Sequence, residues 1–279
     1  MPTHPEETTA LRNAPANGIR LIALDMDGTI LERGHVIQPA LVEALKALAA
    51  RGVRYITATG RPIEFQTQVL PENGLGPAAG TPRAIMADER EIFLLDGNGY
   101  APHREWNDKI RARWESLHPK AMAWLRAAEV EGRSRGWECF QHEPEARMYE
   151  RGLPTLAFRD SAHAGDVCEW LAAQLAKTGD ALVVNRNNRL IQLHDATAGK
   201  GFVVMELARL WGLNPEQILA VGDSANDFSM LDGRHGFRSG CPANADEGVK
   251  EAVRNNGGHV AEARVGLGTL QVLAHFSLA

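Results

Sequence analysis

A short apolar run, Leu21-Ile22-Ala23-Leu24, leads directly into Asp25-Met26-Asp27-Gly28-Thr29. The run predicts a buried strand, and such a strand places the acids that follow it at the carboxyl edge of a sheet. Ligands of open α/β sheets bind at that edge. Two carboxylates there can bind a divalent cation, and one of them can attack a phosphorus atom. A plain surface turn is the alternative interpretation, because Asp and Gly are common turn residues.

Strand and helix patterns alternate on both sides of the chain's middle. Apolar spacing predicts helices over residues 38–51 and 63–70, a strand over 53–56 between them, and a late strand over 218–221. This alternation is typical of a parallel sheet. The sequence therefore predicts an α/β protein with a parallel-sheet core.

The middle of the chain has a different rhythm. Patterns there predict a helix over 106–133 interrupted at Pro119, a helix over 163–177, and short strands over 137–142, 146–150, 155–159, 181–185 and 189–193. Grouped short strands with helices between them are typical of an α+β domain. We predict a disordered leader over 1–18, a core over 19–99 and 195–279, and an inserted domain over 100–194.

Composition excludes several classes of protein. A net charge of −5 argues against a nucleic-acid partner, which would favour a basic excess. Cys139, Cys168 and Cys241 lie far apart without a C-x-x-C pair, so neither a disulfide framework nor a zinc site is indicated. No stretch approaches the roughly 18 apolar residues of a membrane span. We predict a cytoplasmic protein, monomer or homodimer, whose partner is a small phosphorylated metabolite.

Polar residues follow three of the predicted strands, and a lysine begins a predicted helix. These residues are Asp25 and Asp27, then Thr59, Gly60 and Arg61, then Lys200, and finally Asp223, Asn226 and Asp227. Residues 59–61 alone are typical of a loop end, and residues 222–227 alone of a helix N-cap. Because parallel strands carry their ends to one edge, the whole set predicts a single site.

The acids fit phosphoryl transfer at a metal ion. Asp25 is the candidate nucleophile. Asp25, the main-chain carbonyl of Asp27 and Asp223 can supply the oxygen ligands that Mg²⁺ prefers. The Asp27 side chain can give a proton to the leaving oxygen and later take one from water. Asn226 and Asp227 are predicted to surround the metal and orient its water.

The remaining groups fit the phosphoryl oxygens. The hydroxyl of Thr59 and the amide of Gly60 can donate hydrogen bonds to them, and Arg61 and Asn226 are further candidate phosphate ligands. Lys200 adds a positive charge and can hold the nucleophile in its ionised form.

The four motifs, Asp25-Met26-Asp27-Gly28-Thr29, Thr59-Gly60-Arg61, Lys200 and Gly222-Asp223-x-x-Asn226-Asp227, resemble those of the haloacid dehalogenase (HAD) superfamily. Their order is similar to that of its Cof-type subgroup with a type-IIB cap. The resemblance implies a Rossmann-like core, an inserted α+β cap and Mg²⁺ dependence. It also implies hydrolysis of small phosphomonoesters, sugar phosphates among them, through an aspartyl-phosphate on Asp25.

The sequence departs from the subgroup in two places. Asp88-Glu89-Arg90 stands where the subgroup tends to have Glu-Asn-Gly. The tryptophan-containing cap segment shows no sequence motif that resembles the subgroup. Cap residues usually choose the substrate. The candidates that could face the site are Arg104, Arg111, Arg113, His142 and Arg147, although charged residues are more often solvated surface.

Other functions fit parts of the pattern. A phosphomutase would use the same aspartyl-phosphate, and the core motifs do not separate it from a phosphatase. A signalling receiver also combines acids, Thr, Lys and Mg²⁺, but it would not host an insert over residues 100–194. An inactive phosphate-binding regulatory protein would be expected to have lost Asp25 or Asp27, and both are retained.

Overall fold

The computed structural model describes residues 18–142 and 154–279 of the chain. They form two compact units, one from the described part of Met1–Arg104 with Lys200–Ala279, the other from the described part of Glu105–Gly199. The second unit begins and ends five residues later than the predicted insert (105 against 100, 199 against 194). No helix in the part of the chain that the structure describes is long and apolar enough to cross a membrane.

The strands and helices of the described residues follow in chain order. The strands are β1 (Leu21–Leu24), β2 (Arg54–Ala58), β3 (Ala84–Ala87), β4 (Glu91–Asp96), β5 (Gly99–Pro102), β6 (Cys139–His142), β7 (Thr155–Phe158), β8 (Leu182–Asn187), β9 (Leu190–Asp195), β10 (Ile218–Val221), β11 (Arg238–Cys241) and β12 (His259–Val260). The helices are α1 (Pro39–Ala50), α2 (Ile63–Glu72), α3 (Arg104–Ser134), α4 (Ser161–Thr178), α5 (Lys200–Leu210), α6 (Phe228–Leu231), α7 (Glu247–Asn255) and α8 (Val265–His275).

The first unit is built on an eight-stranded sheet in the order β12-β11-β10-β1-β2-β3-β4-β5. The pairings from β12 to β3 are parallel, and β4 and β5 extend the sheet as antiparallel strands. All four residues of β1 and all four of β10 are buried, as expected of parallel strands covered on both faces. The predicted α/β fold with a parallel-sheet core is confirmed.

The register of the central strands aligns their carboxyl ends. Leu24, the last residue of β1, pairs with Val221 at the end of β10 and with Thr57 near the end of β2. The residues that follow these strands therefore emerge side by side at one edge. This edge carries the candidate site.

The second unit packs α3 and α4 with a four-stranded antiparallel sheet of order β6-β7-β9-β8. The predicted interruption of its first helix at Pro119 is wrong, because α3 continues through that residue. Buried Trp114 precedes the proline and buried Ala121 and Leu125 follow it at helical spacing. A proline removes one helical hydrogen bond, and packing of this continuous apolar face outweighs that cost. The predicted strand over 146–150 lies outside the described residues.

Candidate active site

The segment after β1 turns sharply toward the segment after β10. The amide of Asp25 donates to the carbonyl of Val221 at 2.9 Å, which continues the parallel pairing by one residue. Gly28 then adopts a φ of +81°, and a Cβ on it would lie 2.2 Å from Oδ2 of Asp223. Only glycine fits that position, because it tolerates the left-handed conformation and leaves room for the carboxylate. The hydroxyl of Thr29 donates to the other oxygen of Asp223 at 3.3 Å.

Lys200 lies at the centre of the site with no exposed surface. Its Nζ is 2.7 Å from Oδ1 of Asp25 and 2.6 Å from Oδ1 of Asp227. Close packing of the next residue brings the lysine here, since a Cβ on Gly201 would lie 2.2 Å from the carbonyl oxygen of Ser229. Burial alone would lower the pKa of Lys200, but the charges of Asp227 and Asp25 outweigh it and raise that pKa. The ammonium group therefore stays charged between two carboxylates.

Asp227 both holds the lysine and caps its own turn. Its Oδ2 accepts hydrogen bonds from the amides of Asp223 and Ser224, at 2.9 and 3.0 Å. Residues 222–227 are therefore both a helix N-cap and part of the site, and the carboxylate of Asp227 serves both purposes. A Cβ on Gly222 would lie 2.4 Å from the carboxyl carbon of Asp227, so glycine is required here too.

Three carboxylates form a cluster that can hold a metal ion. One oxygen from each of Asp25, Asp223 and Asp227 lies within 4.8 Å of the others. Oxygen donors of this kind suit Mg²⁺, and the missing side chain at Gly28 keeps the space beside Asp223 open. The side chain of Asp27 is outside this cluster, and the role of its main-chain carbonyl as a metal ligand stays a prediction.

The cluster lowers its own acidity. Burial, with the charges of Asp227 and Asp223 against the opposing charge of Lys200, raises the pKa of Asp25 well above its ordinary value. Burial and then the charge of Asp227 raise the pKa of Asp223 to about 7. Carboxylates whose ionised forms are destabilised in this way gain most from a bound cation.

Asp27 is held by Arg61 rather than by the cluster. Nε and Nη2 of Arg61 donate to the two oxygens of Asp27, at 2.8 and 3.0 Å. The guanidinium also lies over the ring of Phe65, 4.5 Å from its centroid. Both members of the pair are about half exposed. Arg61, predicted as a phosphate ligand, is in this structure a bidentate partner of the candidate acid.

The segment after β2 presents a hydroxyl at the same edge. The side chain of Thr59 is 2% exposed, and its Oγ1 accepts a hydrogen bond from the amide of Arg61 at 3.1 Å. An accepting hydroxyl keeps its own hydrogen to donate elsewhere. Buried Gln66 fixes this segment, since its Nε2 donates to the carbonyl of Met86 at 2.7 Å and its Oε1 accepts from Thr57 at 2.6 Å.

Two residues that sequence reasoning did not assign also belong to this edge. Nδ2 of Asn244 donates to the carbonyl of Gly28 at 2.8 Å and to Asp223 at 3.1 Å. Its position shortly after β11 is the same signal that marks the other strand ends. Glu89, in the segment after β3, accepts a hydrogen bond from Nδ2 of Asn226 at 2.7 Å.

The structure gives ion-pair partners for two of the residues of the inserted domain that were predicted to face the site. Arg113 forms an ion pair with buried Asp195 at 2.5 Å, so it stabilises the second unit. Arg111 is an exposed residue that pairs with Asp108 at 3.7 Å. Arg147 lies outside the described residues.

Comparison with known proteins agrees with this geometry. A phosphoglycolate phosphatase of Thermoplasma volcanium is 25% identical over 265 residues, spanning 93% of this chain and 99% of the relative. The solved sucrose-phosphatase of Synechocystis sp. PCC6803, in complex with sucrose and phosphate, aligns with a TM-score of 0.69 at 20% identity, over 93% of this chain and 98% of that one. A phosphatase of the HAD superfamily from Bacteroides thetaiotaomicron, BT1666, aligns with a TM-score of 0.62 at 19% identity, over 95% and 98%.

The family match and the named phosphatase relatives identify a phosphoric monoester hydrolase of the HAD superfamily, of Cof type. The family profile described as sucrose-6F-phosphate phosphohydrolase matches residues 19–277, and the chain belongs to that family. The resemblance drawn from the four motifs is confirmed. The receiver alternative is thereby excluded.

Proposed function

We propose that this enzyme hydrolyses small phosphomonoesters, sugar phosphates in particular, through an aspartyl-phosphate on Asp25 with Mg²⁺ as cofactor. The observation that carries the proposal is Lys200, buried between Asp25 and Asp227, beside carboxylate oxygens that lie within 4.8 Å of one another. Asp25, Asp223 and the main-chain carbonyl of Asp27 would hold the cation, next to Asp227, whose two oxygens bind Lys200 and the amides of residues 223 and 224. When bound, Mg²⁺ neutralises charge between a carboxylate nucleophile and the phosphoryl group.

The chain's own residues supply the other steps. Oδ1 of Asp25 is bonded to Lys200, which leaves Oδ2 as the oxygen to attack phosphorus and form the aspartyl-phosphate. The P–O bond to the leaving group breaks, and Asp27 gives that oxygen its proton. In the second half Asp27 takes a proton from water, which attacks phosphorus and releases inorganic phosphate with Asp25 restored. Thr59 and Lys200 stabilise the phosphoryl oxygens by hydrogen bonding and charge.

Support for a sugar phosphate comes from the family description and from the sucrose-phosphatase that shares the fold. The named phosphoglycolate phosphatases make an acidic small phosphoester the competing substrate class. A panel of sugar phosphates, polyol phosphates and phosphoglycolate, each assayed for phosphate release with Mg²⁺ and with EDTA, tests the proposal. Phosphate release from a sugar monophosphate without a bisphosphate activator is expected, and dependence on such an activator would identify a mutase. Activity that persists in EDTA would contradict the metal requirement.

Replacing Asp27 by asparagine is expected to lower kcat/KM for alkyl phosphates by about 10²–10⁴-fold, the usual contribution of a general acid. The amide oxygen can still accept from Arg61, so the fold should not change. p-Nitrophenyl phosphate should lose less, because its leaving group needs little protonation. Equal losses on both substrates would argue against an acid role for Asp27.

The apparent affinity for Mg²⁺ is expected to weaken as the pH falls below about 7, because a proton on Asp223 competes with the cation. The sign follows from the raised pKa: above about 7 the carboxylate is already ionised, and below it each pH unit costs up to about ten-fold in affinity. The effect is measured by titrating Mg²⁺ while phosphate release is assayed, at pH values from 5.5 to 8 that are spaced roughly a unit apart around that pKa. In Asp223→Asn the affinity should be weak throughout and less dependent on pH, and a pH-independent wild type would contradict the expectation.

A further inference from the structure

The segment after β3 has an unusual backbone beside the site. Asp88 and Glu89 have φ values of +53° and +58°, in the left-handed region that residues other than glycine rarely adopt. The amide of Asp88 donates to the carbonyl of Arg61 at 3.3 Å, and the amide of Glu89 donates to the carbonyl of Thr59 at 3.1 Å. These bonds fix the segment on the 59–61 loop. Strained positions held in this way are common where a side chain must be aimed at a site.

The side chain aimed by this backbone is the carboxylate of Glu89. Its Oε1 accepts from Nδ2 of Asn226 at 2.7 Å and would lie 3.2 Å from a Cβ on Gly60. Its charge also acts on Lys200. Asn226 and Gly60, two of the groups predicted to bind the phosphoryl oxygens, therefore adjoin this acid.

Asn226 sets the distance between this acid and a substrate. An amide nitrogen has two hydrogens, and here one of them points to Glu89 while Oδ1 accepts from Ser224 at 2.6 Å. A phosphoryl oxygen bound by the second hydrogen would lie roughly 5 Å from the Glu89 carboxylate, the separation of two acceptors on one amide nitrogen. Lys200 is already shared by Asp25 and Asp227, so a third acid adds negative charge at this corner.

We propose that Glu89 is a specificity-determining residue, which selects phosphomonoesters of neutral, hydroxyl-bearing alcohols over those whose leaving group carries a carboxylate. The inference rests on the proposed function and narrows its substrate class. A fixed carboxylate repels a second anionic group next to the phosphate, whereas it accepts a hydrogen bond from a hydroxyl there. For unit charges about 8 Å apart at an effective dielectric constant of about 20, the repulsion is about 2 kcal/mol, which corresponds to roughly 30-fold in kcat/KM.

Glu89→Gln isolates the charge from the structural role of the side chain. The amide oxygen of glutamine can still accept from Asn226, so the hydrogen bond to this residue is retained. Glu91→Gln is the matched control, because it makes the same change in charge two residues along, at the first position of β4. Kinetics with glucose 6-phosphate and with 2-phosphoglycolate, at low ionic strength, give the selectivity ratio for each protein.

The wild type is expected to prefer glucose 6-phosphate. In Glu89→Gln the ratio should fall roughly 30-fold, mainly through a lower KM for phosphoglycolate, and Glu91→Gln should keep the wild-type ratio. An unchanged ratio in Glu89→Gln, an equal fall in Glu91→Gln, or a wild type that prefers phosphoglycolate would overturn the proposal while phosphatase activity stands. No phosphate release by the wild type from either substrate or from p-nitrophenyl phosphate would overturn the proposed function itself, and this inference with it.

Discussion

Replacing Asp25 by asparagine is expected to abolish turnover, by roughly 10⁴-fold or more, while the fold is retained. Asparagine has the same shape, and its amide oxygen can still accept from Lys200, which also keeps its bond to Asp227 at 2.6 Å. The loss comes from chemistry: an amide oxygen is a poor nucleophile, so no aspartyl-phosphate forms. Removal of one negative charge from the carboxylate cluster should also weaken the binding of Mg²⁺.

Acid-quenched enzyme examined by mass spectrometry distinguishes the covalent route from direct attack by water. The wild type should carry a phosphoryl group on Asp25 during turnover, and Asp25→Asn should carry none. Asp108→Asn, which changes an aspartate on the exposed surface of α3, is the control for the loss of one charge. Near-normal rates in Asp25→Asn, with an unchanged melting temperature, would contradict the covalent mechanism.

The ends of the central strands could be predicted because parallel strands that are buried on both faces have continuous apolar sequences. Leu21–Leu24 and Ile218–Val221 coincide with β1 and β10 for this reason. Once these strands are neighbours, Asp25 and Asp223 must emerge together, and the sequence already implies that proximity. Lys200 is the first residue of α5, the helix that precedes β10, and a helix that leads into a parallel strand begins at this same edge. Its position beside Asp25 is therefore also expected.

The partner of Asp27 could not be predicted in the same way. Arg61 follows β2 at the phosphate-binding loop, and a guanidinium suits a phosphate as well as it suits a carboxylate. Only the folded backbone shows that its fork meets both oxygens of Asp27. Whether Arg61 pairs with Asp27 or with a phosphate depends on the position of its backbone to within a few ångströms. The residue types alone do not determine that position.

Glu89 and Pro119 show two further limits. No sequence pattern predicts a left-handed backbone at a residue other than glycine, so the direction of the Glu89 side chain could not be predicted from the sequence. A proline inside a helix is a strong local signal for an end, yet α3 passes through Pro119 because its buried face continues on both sides. In both cases tertiary structure overrides a local preference.

Lys200→Met is expected to lose both activity and stability, unlike Asp25→Asn and Asp27→Asn, which are expected to retain the fold. Methionine fills a similar length without charge, and it leaves Asp25 and Asp227 close together, with little exposed surface and no cation between them. Removing one member of a buried ion pair costs about 3–5 kcal/mol in the free energy of unfolding. Lys46→Met, a half-exposed lysine paired with Glu43, is the control and should cost about 1 kcal/mol or less.

The pH dependence of that loss identifies its cause. In the metal-free enzyme the pKa of Asp25 is already raised by burial, and removal of the lysine's charge raises it further. A carboxyl whose pKa is higher in the folded state favours folding at low pH and loses that contribution as the pH rises through the folded-state pKa. The deficit of Lys200→Met, measured by urea unfolding without added metal, should therefore be smallest in acid and grow toward neutral pH.

A second substitution then tests the pairing itself. The double variant Lys200→Met with Asp227→Asn should recover part of the lost stability, because it removes one of the two opposed carboxylates. It should not recover phosphate release, because the positive charge of Lys200 that stabilises the phosphoryl oxygens is still missing. If the double variant is no more stable than Lys200→Met, or if the single variant unfolds at the wild-type urea concentration, the lysine is not the counter-charge that holds these two carboxylates together.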